Sequence, residues 1–371
     1  VTGKEIKMSV PPSPDVFGRS FVVPELLSGL EPQFHPETAE MERKIDAWTR
    51  PYLERMEFDE QRIVAFLARR QPWWLILIYP HGVPDRLVAM ARLIQFMCAF
   101  DDLTDRLDAE EVSERTASLA KRLVSLSSSS SIPDLDPLTG MLADAWTSVT
   151  SDMTAGQMAR ITAALKEFVE AELRGIEMAD AGDIFRFEDY RRFRRFNVGT
   201  PVYVRVADFV LGLSFPEEFF TDPDVVEALA LVSEHTAFVN DLLSFGKEIA
   251  CGHWQTNALA VWHVAEGLDL QASVDQLAAH LRKLQQELAL RSNRIREGRW
   301  AGLEGLESYL TELSLMVPGD VLFEFATSRY RGDGFIWDGI TSGIATYHRS
   351  HFDIRKLPQT EQQDPLPVRA P

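Results

Sequence analysis

The chain has 371 residues, of which 45% are hydrophobic and 22 are Phe, and carries a formal charge of −18. That charge excludes nucleic acid as a partner, because phosphate backbones need a basic surface, and confines anionic small ligands to places where Arg, Lys or metal ions reverse the field. Only Cys98 and Cys251 are present, so no disulfide framework holds the fold and a reducing, cytoplasmic compartment is expected.

Residues 1–36 are rich in Pro and read as an extended N-terminal arm, with Met8 as the expected native start and no signal-peptide pattern. From Glu37 the periodicity becomes helical, predicting helices over 37–56, 58–69, 85–106, 109–125, 137–150, 154–178, 185–197, 200–213, 223–248, 270–296, 300–315 and 318–331. No stretch alternates with period two, so β structure is expected to be absent or minor. The densest apolar run, Trp73 to Tyr79, is too short to span a bilayer. The Ser127–Ser131 run before Ile132-Pro133 reads as a loop inside one catalytic domain over 37–356, because the two oxygen-rich stripes on either side of it make sense only as one site. Residues 357–371 carry Pro and little apolar content, which predicts a disordered tail.

In the helix over 85–106, Leu87, Ala91, Ile94 and Cys98 follow one face, and Asp101 and Asp105 continue it. Carboxylates prolonging a core stripe are costly to bury, and a divalent cation shared by acids at i and i+4 removes that cost. All-oxygen donors suit Mg2+ or Mn2+ and not zinc. Alone, Asp101-Asp102-Leu103-Thr104-Asp105 reads either as a metal site or as a helix-end charge cluster. Glu110-Glu111-Val112-Ser113-Glu114 repeats its spacing without an apolar lead-in and reads as a solvated helix start.

The second stripe is more specific. Asn240, Ser244 and Glu248 stand at i, i+4 and i+8, with Asp241 beside them, and Val225, Leu229, Val232 and Thr236 lead into the same line. Two Arg features accompany it. Arg195 precedes Val198-Gly199-Thr200-Pro201, where Gly and Pro break a helix and expose backbone carbonyls. Arg329-Tyr330 lies near a later helix end, and Lys247 adds a point charge next to Glu248. Guanidinium forks suit phosphoryl oxygens. Arg191, Arg192, Arg194 and Arg195 crowd one segment, so most of them must be solvated.

Together these residues resemble the class I terpene synthase (terpene cyclase) family of microbial type, from about Pro24 to about Asp333. The resemblance implies an all-α, single-domain antiparallel bundle around a central apolar cavity. It also implies a trinuclear magnesium cluster (Mn2+ being the alternative) on Asp101, Asp102 and Asp105 and on Asn240, Ser244 and Glu248 of the ND-x-x-S-x-x-x-E segment. Arg195, Val198 and Gly199 match the family's diphosphate sensor, linker and effector, and Arg329-Tyr330 its late Arg-Tyr pair. Met97 and Cys98 stand where relatives often carry large residues.

The implied activity is a carbon–oxygen lyase reaction. A prenyl diphosphate, expected to be farnesyl diphosphate, ionises with Arg195, Lys247, Arg329 and Tyr330 on the diphosphate. The carbonyl at Gly199 faces the cation, which cyclises against a wall including Trp74, Phe96 and Phe100 to a terpene hydrocarbon or alcohol. No protein partner beyond a monomer or homodimer is implied. A chain-elongating trans-prenyltransferase would need a second aspartate-rich motif where Asn240, Ser244 and Glu248 stand. A non-enzymatic helical scaffold would not need the two stripes and the Arg residues at once. A phosphohydrolase of the HD type would need His-Asp pairs, and His81, His235, His253 and His263 are not so placed.

Overall fold

The computed structural model describes residues 14–104 (28 and 30 apart), 114, 118 and 136–357. Asp105, the Ser127–Ser131 loop, most of the 109–125 helix and the tail beyond Leu357 lie outside these residues. The described chain is a helical bundle: α1 (Thr38–Arg55), α2 (Glu60–Ala68), α3 (Pro72–Ile78), α4 (Pro84–Thr104), α5 (Pro137–Thr150), α6 (Ala155–Ala181), α7 (Phe187–Asn197), α8 (Pro201–Val204), α9 (Ala207–Leu211), α10 (Pro223–Cys251), α11 (Leu270–Glu297), α12 (Leu306–Ala326) and α13 (Ser328–Arg331). No described helix is long and apolar enough to cross a membrane.

Helix ends follow the local chemistry. Asp59, Asp136, Asp222 and Asp269 cap α2, α5, α10 and α11 with side-chain carboxylates, and Pro opens α3, α5 and α10 at a position whose N–H has no partner to lose. Gly252 ends α10 in the left-handed region at φ 84°.

The bundle is built around α10, which is buried on nearly every face from Val225 to Ile249 and packs on α7, α11 and α12. The apolar run Pro72–Ile78 forms α3, almost wholly buried against α12. Contact is close there: a Cβ on Gly319 would stand 2.1 Å from the Leu77 carbonyl oxygen. The sequence predicted two helices separated before Pro318, but α12 runs through that residue unbroken. Burial of α12 against α3 and α10 offsets the roughly 3 kcal/mol that an internal Pro costs.

The β structure is minor, as expected: one small antiparallel sheet, β1 (Ser20–Val23), β2 (Gly343–Tyr347) and β3 (Phe352–Arg355), in the order β1-β2-β3. Ser20 pairs with Thr346, and Ile344 with Arg355. The arm is thus pinned by a strand, with Phe21 and Val23 buried beside Tyr347 and Phe352. These strands are four or five residues long and joined across the whole chain, so their alternation is too short to stand out in sequence. The sheet rests on α10: the Tyr347 hydroxyl donates to the Leu242 carbonyl at 2.6 Å, and its ring lies 3.0 Å from where a Gly246 Cβ would be. Leu242 and Gly246 face away from Asn240, Ser244 and Glu248, so the sheet supports α10 from behind the site.

Candidate active site

A cavity of about 440 Å³ opens among α3, α4, α6, α7, α10, α12 and α13, within the size range of small-molecule sites. Its apolar wall includes Trp74, Ile94, Phe96, Phe100, Phe168, Tyr203 and Phe323. Trp74 is held by its indole N–H, which donates to Asp320 Oδ1 at 2.8 Å, and its ring meets Tyr203 edge-on with centroids 5.1 Å apart. Asp101, Asn240, Ser244, Lys247, Glu248, Arg329 and Tyr330 line the same cavity.

The last turn of α4 presents Asp101 toward α13 and α10. Arg329 binds its carboxylate, and Lys247 Nζ lies 3.8 Å away. Burial alone would raise the Asp101 carboxyl, but Lys247 and Arg329 outweigh it and hold it below the usual range. Asp102, expected as a metal ligand, is not on the cavity wall. It accepts from Arg69 Nη1 at 2.6 and 2.8 Å, because the next residue on a helix points about 100° away. Asp105 lies outside the described residues.

On α10 the predicted stripe faces inward. Ser244 Oγ donates to Glu248 Oε1 at 2.7 Å, and Asn257 Nδ2 to Glu248 Oε2 at 2.8 Å. Asn240 Nδ2 donates to the Tyr330 hydroxyl at 2.7 Å, and its Oδ1 accepts from Arg194. Burial, with the Asp241 charge adding to it, pushes Glu248 up to about 7. Asp241 turns away from the cavity and accepts from Arg194 Nε, the Tyr190 hydroxyl and the Ala258 amide.

Arg195, expected as diphosphate sensor, is not on the cavity wall. Arg195 points to the outer side of α7, where Nε donates to Glu234 at 2.6 Å and Nη2 to Glu227 at 3.1 Å. Arg194 enters the cavity instead, at 8% exposure, and bonds Asp241, Asn240 and Asn197. Helix phase decides this: Phe187, Tyr190, Arg194 and Asn197 lie on the inward stripe, whereas Arg191 and Arg195, at i and i+4, share buried Glu234. Gly199 is not on the wall either. It takes a left-handed φ of 75° at the break, and its carbonyl accepts from the Val202 amide while Val198 and Thr200 flank it on the cavity side. Arg194 and Asn197 were missed, although the i, i+3, i+7, i+10 spacing from Phe187 signals them. Glu172 was also missed; it lines the cavity, accepts from Asn197, and is pushed up to about 8 by burial.

Among the described residues no three His, Cys, Asp or Glu side chains converge as a metal group. The donors that do line the mouth are the Asp101 and Glu248 carboxylates, the Ser244 hydroxyl and the Asn240 amide oxygen. This all-oxygen, partly charged set, with a buried carboxyl raised in the absence of a cation, fits a hard divalent ion.

Over residues 92–287 the chain matches the model of terpene synthase family 2, C-terminal metal binding. It is 25% identical over 323 residues to a nerolidol synthase of Selaginella moellendorffii, spanning 85% of this chain and 84% of that protein. It is 23% identical over 365 residues to sesquiterpene synthase Agr8 of Cyclocybe aegerita, spanning 95% and 98%. Among solved structures, germacradien-4-ol synthase from Streptomyces citricolor superposes with a TM-score of 0.69 at 17% identity, over 81% of this chain and 98% of that one. An α-eudesmol synthase superposes with a TM-score of 0.70 at 19% identity, over 81% and 98%.

Proposed function

This chain belongs to terpene synthase family 2, with the all-α class I fold and a metal-binding domain, and from that premise we propose that it is a magnesium-dependent sesquiterpene cyclase acting on farnesyl diphosphate. It is a lyase that ionises a prenyl diphosphate and cyclises the cation. The observation that carries the finer reading is the convergence of Asp101, the α10 oxygen stripe, Arg194, Lys247 and Arg329 on one rim of an otherwise aromatic cavity. The choice of a fifteen-carbon substrate is supported by sesquiterpene synthases among the relatives.

Arg194, Lys247, Arg329 and the Tyr330 hydroxyl would bind the diphosphate oxygens, while Asp101, Asn240, Ser244 and Glu248 would hold the metal. Bound magnesium supplies neutralisation of the charge that grows on the leaving group. Arg329 and Lys247 meet Asp101 in the structure, so two cations stand at the rim before substrate enters, and donors already in place need little reorganisation as charge develops. The carbon–oxygen bond breaks with its electron pair leaving on the diphosphate. Trp74, Phe96 and Phe100 then present ring faces to the allylic cation, an attraction worth up to about 2 kcal/mol per desolvated ring. The closed apolar wall keeps bulk water from the cation.

Incubation with geranyl, farnesyl and geranylgeranyl diphosphate plus Mg2+, with volatile products identified by mass spectrometry, tests this. Farnesyl diphosphate should give the highest turnover, and chelation should abolish it. Turnover that survives chelation, or a clear preference for another chain length, would refute the corresponding part.

A further inference from the structure

The cavity wall holds two polar groups that neither the ionisation step nor the metal site uses. Gln71, at 2% exposure, lines the cavity, yet neither Oε1 nor Nε2 has a hydrogen-bond partner among the described residues. Glu324, at 4% exposure, also lines it; Oε2 has no such partner, and Oε1 receives only a long 3.4 Å contact from Asn240. Both lie on the wall where the start of α3 packs on α12. α3 runs antiparallel to α12, with Trp74 bonded to Asp320 at one end and the Thr327 hydroxyl donating to the Arg69 carbonyl at the other, 2.8 Å each. In sequence, Gln71 and Glu324 both fall between these two ties, and both line the same cavity.

Buried polar groups are costly without partners, and proteins satisfy them with ordered water where the site is polar and roomy. A wall meant only to mould a hydrocarbon would do better with Leu or Met at both positions. An amide that can donate and accept, on the same wall as an unpartnered carboxyl oxygen, offers two points for holding a water molecule.

The geometry points to Gln71 and Glu324 as the residues that hold a water in the cavity and direct it onto the final carbocation, so that this chain releases a terpene alcohol. The inference rests on the cyclase reading above. The water oxygen uses a lone pair to form the new carbon–oxygen bond. The resulting oxonium loses one proton to the diphosphate freed at ionisation, giving a neutral alcohol and hydrogen diphosphate. Gln71 orients the nucleophile and determines the product class; it takes no part in ionisation.

The test is turnover of farnesyl diphosphate with Mg2+ in oxygen-18 water, with products separated by gas chromatography and weighed by mass. The wild-type product should be chiefly an alcohol, two mass units heavier than in ordinary water. In Gln71→Leu the ratio of alcohol to hydrocarbon should fall about tenfold or more, whereas Gln71→Glu, which keeps a polar cradle, should retain alcohol. Loss of packing alone would lower both products together and leave their ratio unchanged; that result would overturn the assignment of Gln71. A wild-type protein releasing only hydrocarbon would overturn the inference while leaving the cyclase reading intact. No product from any prenyl diphosphate would overturn both.

Discussion

Replacing Arg194 or Arg195 by Lys separates the two candidate sensors, because the residues are adjacent in sequence but about 100° apart around α7 and meet different partners. Arg194 is buried and spreads its fork over Asp241 at 3.0 Å, Asn240 at 2.9 Å and Asn197. Lys keeps the charge opposite Asp241 but cannot span three partners and a phosphoryl group. Removing one preorganised donor from a developing oxyanion typically costs about 2.7–4 kcal/mol, so Arg194→Lys should slow ionisation by roughly 100-fold or more. Lys is the right probe because an apolar replacement would leave the Asp241 carboxylate buried and unpaired, a loss of about 3–5 kcal/mol that would confuse folding with catalysis.

Arg195 is a different case. Its partner Glu234 keeps Arg191 and His280, each at 2.6 Å, when Arg195 is shortened. The loss is about 1 kcal/mol of stability and less than about threefold in rate. Diphosphate release in a single turnover, at saturating metal, measures the rate, and thermal unfolding followed by circular dichroism checks the fold. If Arg195→Lys abolishes release while Arg194→Lys retains it, the placement of Arg194 as the diphosphate contact is wrong.

Glu248→Gln keeps bonds to Ser244 and Asn257 but removes the anionic ligand, so turnover should fall by about two orders of magnitude with little change in melting temperature; near-normal turnover at low metal would contradict its role. Gly319→Ala should destabilise the protein by about 2 kcal/mol or more, because its Cβ would meet the Leu77 carbonyl at 2.1 Å; an unchanged melting temperature would mean that α3 and α12 are packed differently. In metal-free buffer, stability should fall as pH rises from 6.5 to 8. Burial raises Glu172 and Glu324 to about 8 and Glu248 to about 7, so in this window the folded state retains protons that the unfolded chain has lost, at up to about 1.4 kcal/mol per pH unit for each group. His235 and Glu234, lowered to about 3 and about 2, act with the opposite sign only below that window. A melting temperature that rises across it would refute the burial of these acids.

Most of the helical architecture was legible because long amphipathic periods survive in sequence: α6, α10 and α11 fall close to their predicted spans. The α10 stripe was legible for the same reason, since i, i+4, i+8 spacing after an apolar lead-in determines which way side chains point. The errors arise where neighbouring residues compete for one inward position. Four Arg residues in five positions blur the polar face of α7, and matching motif spacing chose Arg195 where helical phase, counted from Phe187 and Tyr190, points to Arg194. Gln71 and Glu324 carry no local signal, because their meaning depends on α3 and α12 meeting across the cavity.

Both acidic motifs contain two adjacent Asp-type positions, and successive helix residues point about 100° apart. Asp101 and Asn240 line the cavity whereas Asp102 and Asp241 do not, and each of the latter meets an Arg from another element: Arg69 at the end of α2 and Arg194 on α7. The outward acid therefore joins the helix bearing the ligands to its neighbour. On α10 the tie also sets the chemistry, since Asp241 orients the guanidinium that reaches into the cavity beside Asn240. Asp241→Asn should thus weaken diphosphate release by loosening Arg194, without removing a metal ligand. Asp102→Asn should act mainly on the tie to Arg69, which does not line the cavity, and more weakly on Arg329, whose Nη1 lies 3.7 Å from Asp102 Oδ1.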